Sequence, residues 1–202
     1  MAALLHSLAD QARDFSALEI VAVVTAVLYL LLAIRQNIWC WLCAAISTAI
    51  YVYLFIVAKL YMQSVLNVFY FGMAAYGWHV WYHGRDATHE LPVTSWAPSV
   101  HGQAIVVIVT VSLINGYVLD NWTNAEFPYI DALTTWAAIW TTFLVARKVL
   151  ENWWYWLVID VASVFIYWLR DLQLTALLFV IYVMMIPFGL ISWTRSRREA
   201  LA

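Results

Sequence analysis

Asn152-Trp153-Trp154-Tyr155-Trp156-Leu157-Val158-Ile159-Asp160-Val161-Ala162-Ser163-Val164-Phe165-Ile166-Tyr167-Trp168-Leu169 is one apolar run interrupted by a single ionisable group. At about 1.5 Å per residue its roughly eighteen residues reach across the hydrocarbon core of a bilayer as a helix. Working outward, six more runs of this kind stand at Ala17–Ile34, Ile38–Val57, Ser64–Trp81, Gln103–Leu119, Ile130–Ala146 and Leu174–Trp193. Short polar breaks separate most of them, and two longer connections, 83–100 and 120–129, hold Pro92, Pro98 and Pro128. The composition agrees: of 202 residues 65% are hydrophobic and 11% charged, where soluble domains carry about 25% charge. So few charges cannot cover a water-facing surface. A soluble globule and a disordered chain are excluded, and a formal charge of −2 gives no footprint for nucleic acid. The length leaves no room for a soluble catalytic or nucleotide-hydrolysing domain beside seven spans. Two cysteines, Cys40 and Cys43, make no disulfide framework.

The predicted fold is an all-α integral membrane protein with seven transmembrane helices arranged as a parallel 3+1+3 repeat. Sliding the second half over the first sets Asn37-Ile38-Trp39-Cys40-Trp41 on Asn152-Trp153-Trp154-Tyr155-Trp156. Past a gap of three residues, Tyr70, Gly77 and Trp81 then fall on Tyr182, Gly189 and Trp193. One intervening crossing gives both triplets the same orientation, a plan found in transporters with a solute site near the midplane. The expected segments are an amphipathic stretch at 1–16, a first repeat at 17–83, a linker with helix four at 84–129, a second repeat at 130–193 and a basic tail at 194–202. Residues 1–16 lack the marks of a signal peptide; Leu4, Leu8, Ala12 and Phe15 recur at the spacing of a surface helix. Arg35, Arg85, Arg147, Lys148, Arg195, Arg197 and Arg198 fall on one side, and Arg13, Lys59 and Arg170 on the other. The excess of cations sets the C-terminus in the cytoplasm and the N-terminus outside.

Asp160 lies about eight residues into its span, roughly 12 Å from the helix end. A carboxylate at that depth costs several kcal/mol and is by default a functional residue. It can face a cationic solute, carry a coupling proton, or be tied structurally to a neighbouring helix; its position does not choose between these. It is read as the one carboxylate left alone inside. Trp153 and Trp156, three apart, share a helix face and are placed to clamp a flat ring, each worth roughly 0.5–2 kcal/mol if the ring is cationic, while the interfacial aromatic belt accounts for them equally well. Gln63, Asn67 and Tyr70 form a polar stripe at i, i+4 and i+7, suited to a ligand or to a neighbouring helix. No cofactor, catalytic group or metal site is expected; His79 and His83 have no acidic or thiol companion. A retinal protein needs a Lys in its last helix, and 174–193 has none.

Two sets of residues carry a resemblance. In the first half it is Tyr51-Val52-Tyr53-Leu54-Phe55, Lys59-Leu60-Tyr61, Leu66-Asn67-Val68-Phe69-Tyr70 and Tyr76-Gly77-Trp78-His79-Val80-Trp81. In the second half it is Glu151-Asn152-Trp153 with Trp156 and Asp160, then Leu174-Thr175-Ala176-Leu177-Leu178, Tyr182, Gly189 and Trp193. This pattern, over about residues 20–195, resembles the nicotinamide riboside transporter family, PnuC. The resemblance implies a fold related to the SWEET sugar transporters, a homotrimer in the inner membrane, and uptake of a small vitamin by facilitated diffusion with trapping by a cytoplasmic kinase. It implies a site built from Asn152, Trp153 and Trp156, with Asn67, Tyr70 and Tyr182 as neighbours; Asp160 and Gln63 join it from their position in the spans. The family commonly has Gln where this chain has Asn67, a shorter amide, so the transporter class is implied more firmly than the solute. Sister groups carry thiamine or riboflavin. A proton-coupled carrier and an intramembrane enzyme are the competing expectations.

Overall fold

A computed structural model of the protein describes residues 17–57, 61–84, 91–123, 127–169 and 173–201. They form seven helices: α1 (Ala17–Ile34), α2 (Trp39–Val57), α3 (Tyr61–His83), α4 (Pro98–Trp122), α5 (Pro128–Ala146), α6 (Asn152–Leu169) and α7 (Gln173–Leu201). Among the described residues there is no β-strand, only one isolated bridge. Four helices are long and apolar enough by themselves to cross a membrane: α1, α2, α4 and most of α7. The other three are diluted by polar and amphipathic side chains, some of which, such as Asn67, Thr141 and Asp160, are buried. The expected surface helix at 1–16, and the cations Arg13, Lys59, Arg85 and Arg170, lie outside the described residues.

Several boundaries differ from the sequence reading for identifiable reasons. Pro98 and Pro128, assigned to connections, instead open α4 and α5. Proline suits the first helical turn because its missing N–H has no intrahelical partner there and its φ is already helical. Asp120 and Asn121 therefore belong to the last turn of α4 rather than to a loop. The basic tail continues α7 as helix to Leu201, with Arg195 Nε donating to Glu199 Oε1 at 2.8 Å one turn on.

The turns after α1 and α5 decide the architecture. Gln36 N and Asn37 N donate to Ala33 O (3.0 Å) and Leu32 O (2.9 Å); Lys148 N and Val149 N donate to Val145 O (3.0 Å) and Leu144 O (2.9 Å). Each is the paired bond set of a Schellman cap, which needs a left-handed residue just past the helix. Gln36 (φ 55°) and Lys148 (φ 50°) fill that position, where glycine is usual. The two elbows are equivalent at a constant spacing of 112 residues, the separation of Gln36 and Lys148. The same spacing relates Trp41 to Trp153, Gly77 to Gly189 and Trp81 to Trp193, and each pair makes like contacts.

This corrects the sequence alignment. Trp41 corresponds to Trp153, not Trp156, and Cys40 rather than Asn37 stands opposite Asn152. No gap is needed, because both elbows have one length and both indoles sit on a glycine.

The buried core gathers at the elbow end: Ala33, Trp41, Trp81, Ala146, Trp153 and Trp193 pack there. The halves are stitched reciprocally. Trp81 Nε1 donates to Ala146 O (3.1 Å), and Trp193 Nε1 donates to Ala33 O (3.0 Å). Lys148, counted above as a loop cation, is only 1% exposed. Its Nζ donates to Gln36 Oε1 at 3.1 Å and lies 4.6 Å from the centre of the Trp81 ring. The segment before α4 locks onto the second elbow through Thr94 N to Lys148 O (2.9 Å) and Leu150 N to Thr94 O (2.8 Å). Glu151 receives Ser95 Oγ and the Trp96 amide, and faces His101 at 3.7 Å.

Candidate functional site

Above this core the helices part around a cavity of about 360 Å³, within the size of small-molecule sites. It runs from the elbow end, where Ala33, Val145, Asn152 and Trp153 form the floor, toward the opposite end at Gln63, Asp131 and Tyr167. One stripe of α6 supplies much of the wall: Trp153, Trp156, Asp160, Ser163 and Tyr167. Their spacing of three, four, three and four keeps them on one helical face. Facing them stand Tyr29 of α1, Tyr70 of α3, Thr134 and Thr135 of α5, and Phe179 and Tyr182 of α7.

Seven of the eight expected site residues line this cavity: Trp153, Trp156, Asn152, Tyr70, Tyr182, Asp160 and Gln63. Asn67 does not. Its side chain is buried and its Nδ2 donates to Gln63 O, one turn back on its own helix, at 2.9 Å; Leu66 takes the lining position instead. Asp160 is not the lone carboxylate there, since Asp131 also lines the wall. Tyr29, Asp131, Thr134, Thr135, Ser163 and Tyr167 were missed. Ser163 and Tyr167 continue the Trp153–Asp160 stripe, and Asp131, Thr134 and Thr135 recur at i, i+3 and i+4, so helical spacing was the signal for both sets.

The two tryptophans have different surroundings. Trp153 is 2% exposed and packed edge-on against Trp193, with ring centres 5.5 Å apart at 90°. Its ring contributes to the cavity floor, while Nε1 itself is buried. Trp156 is half-buried, leaving ring surface toward the cavity. Asn152 is fully buried; its Nδ2 donates to Val149 O at 2.6 Å. Among the described residues, Asn152 Oδ1 and Trp153 Nε1 have no hydrogen-bond partner. A buried group left unmet costs about 1–3 kcal/mol, and Trp41 Nε1, in the matching seat of the first half and away from the cavity lining, is without a partner in the same way. Asp160 is buried within electrostatic reach of Tyr182. Among the described lining residues there are two carboxylates and no Lys, Arg or His.

An aromatic-walled cavity with two carboxylates, inside a bundle of seven helices of which four are long and apolar enough to cross a membrane, fits a multi-pass membrane transporter. Residues 16–195 match the family described as nicotinamide mononucleotide transporter, and the chain belongs to that family. It is similar to the nicotinamide riboside transporter PnuC of Escherichia coli (strain K12), with 24% identity over 92% of this chain and 88% of that one. It is also similar to the riboflavin/roseoflavin transporter RibM of Streptomyces davaonensis, with 23% identity over 90% and 87%. The crystal structure of the vitamin B3 transporter PnuC has the same fold, with a TM-score of 0.72 and 22% identity over 97% of this chain and 90% of that one.

Proposed function

We propose that the protein carries nicotinamide riboside across the membrane, and that the mononucleotide is excluded. The observation that supports this best is the α6 face that brings Trp156 and Asp160 into one cavity wall. The flat pyridinium then lies against Trp156 with its charge toward Asp160, and the ribose extends toward Ser163, Tyr167 and Gln63. A phosphate would meet two carboxylates in this cavity and no Lys, Arg or His among the described lining residues to receive it.

On this reading the contacts matched at 112 residues belong to a parallel 3+1+3 repeat, and the solute is held mainly by the second half. Transport is facilitated diffusion across the inner membrane, with the N-terminus outside, the C-terminus cytoplasmic and the chain a homotrimer. A cytoplasmic kinase traps the solute, because the phosphorylated product is rejected by the carboxylates that admitted it.

The test is calorimetric titration of the purified protein with nicotinamide riboside, its mononucleotide, thiamine and riboflavin, followed by uptake into liposomes containing only this protein. Binding of the riboside and uptake down its gradient are expected. Tight thiamine or riboflavin binding without riboside binding would replace the solute. Accumulation driven by a pH gradient would establish proton coupling, and turnover without net translocation an enzyme.

Asp160→Asn is expected to weaken riboside binding about tenfold, the equivalent of ~1.4 kcal/mol of lost charge attraction, and to leave uncharged ligands unaffected. Equal affinity of the variant and wild type would make Asp160 a structural residue.

A further inference from the structure

We propose that Gly189 is a positioning residue for the solute site and acts through Trp153; this rests on reading the cavity as that site. A Cβ at Gly189 would stand 2.3–2.5 Å from Cη2, Cζ2 and Cζ3 of Trp153, so only hydrogen there lets the indole lie on α7. The second constraint is Trp193, one turn further along α7, perpendicular to Trp153 and held by its own N–H to Ala33 O. Between the glycine backbone and the Trp193 ring the Trp153 indole has one resting place. That place sets its ring in the cavity floor. A methyl group at Gly189 must displace this ring, and with it the part of the cavity floor that the ring forms.

The first half contains the same device without the same consequence. A Cβ at Gly77 would stand 2.3–2.5 Å from the Trp41 ring, and Trp41 packs on Trp81 at 5.5 Å and 87°. Trp41 is not among the residues that line the cavity. The molecule thus carries its own comparison: one local packing insult, delivered once to a residue of the cavity lining and once to Trp41, which touches the lining through Tyr29.

The experiment compares wild type, Gly189→Ala, Gly77→Ala, Trp153→Phe and the Trp153→Phe/Gly189→Ala double variant, all as the full chain in detergent, by calorimetric titration with nicotinamide riboside. Gly189→Ala is expected to bind about tenfold more weakly, the scale of one misplaced aromatic contact. Gly77→Ala should stay within about twofold of wild type while losing a similar amount of thermal stability. In the Trp153→Phe background, where the outer ring of the indole is gone, adding Gly189→Ala should cost less than about twofold. Unchanged binding by Gly189→Ala, an equal loss in Gly77→Ala, or an additive double variant overturns the proposal. If Gly189→Ala does not fold, the double variant should, since its clash is removed; a double variant that also fails overturns the seat.

A solute-free readout separates this from the functional reading. With 5-fluorotryptophan incorporated, the ¹⁹F resonance of Trp153, assigned by its loss in Trp153→Phe, should move in Gly189→Ala and stay in place in Gly77→Ala. If wild type binds no riboside, the solute assignment falls, and the resonance still judges the seat.

Discussion

Trp156→Ala is expected to fold and melt like the wild type while binding nicotinamide riboside about thirtyfold more weakly. The magnitude follows from stacking of a flat heterocycle on an aromatic side chain, worth about 1–3 kcal/mol by alanine substitution, of which ~2 kcal/mol corresponds to that factor. The contrast with Trp153 makes the prediction specific. Trp153 is wedged between Gly189 and Trp193 in the core that joins the halves. Its loss therefore removes stability as well as affinity. Trp156 packs beside that core and turns ring surface to the cavity, so its truncation separates binding from folding. Titration calorimetry and a thermal melt on the same preparation check both halves of the statement. A Trp156→Ala protein that binds within about twofold of wild type would remove the stacking role, and one that melts far below it would place the residue in the core.

The division between these two indoles marks where sequence reading stops. Apolar runs revealed seven spans because bilayer thickness imposes one length on every crossing, and that constraint is local. Helical spacing carried the α6 stripe from Trp153 to Asp160, and followed further it reaches Ser163 and Tyr167. Register between the halves was harder. Aligning shared letters set Trp41 on Trp156, whereas the elbows and glycine seats set it on Trp153; the deciding contacts join residues far apart in sequence. On α3 a turn of about 100° separates Leu66 from Asn67, and a polarity stripe does not tell which of two adjacent positions faces a cavity. Asp131 opens α5, where a carboxylate reads as interfacial or as a favourable partner of the helix N-terminus; only the fold brings it to the same cavity as Asp160. The unmet Asn152 and Trp153 atoms are visible only once every neighbouring donor and acceptor has a position.

Lys148 is the residue whose reading changes most, and its replacement is expected to produce the largest loss of stability. In sequence it is one cation in a basic turn. In the fold it is sealed between the halves, donating to Gln36 Oε1 and lying over Trp81, whose own N–H caps the end of α5. Truncating it to alanine removes a hydrogen bond from a charged donor, worth ~1.5–3 kcal/mol, and a desolvated cation–π contact worth ~2 kcal/mol. With partial overlap between these, Lys148→Ala should lose about 3 kcal/mol of stability. The backbone provides the second arm. At φ 50° a non-glycine residue sits in the left-handed region, which costs roughly 1–2 kcal/mol that glycine does not incur. Lys148→Gly therefore removes the same side chain but relieves the strain, and should be the milder variant by about 1 kcal/mol. Lys148→Met, which keeps the stem between the halves without the charge, should also lose less than alanine. Thermal and denaturant unfolding in one detergent give the order, with wild type above methionine and glycine, and alanine lowest. An alanine variant as stable as wild type would show that the buried ammonium contributes nothing to the closed elbow end. A glycine variant less stable than alanine would show that the left-handed turn at Lys148 is not where the backbone strain lies.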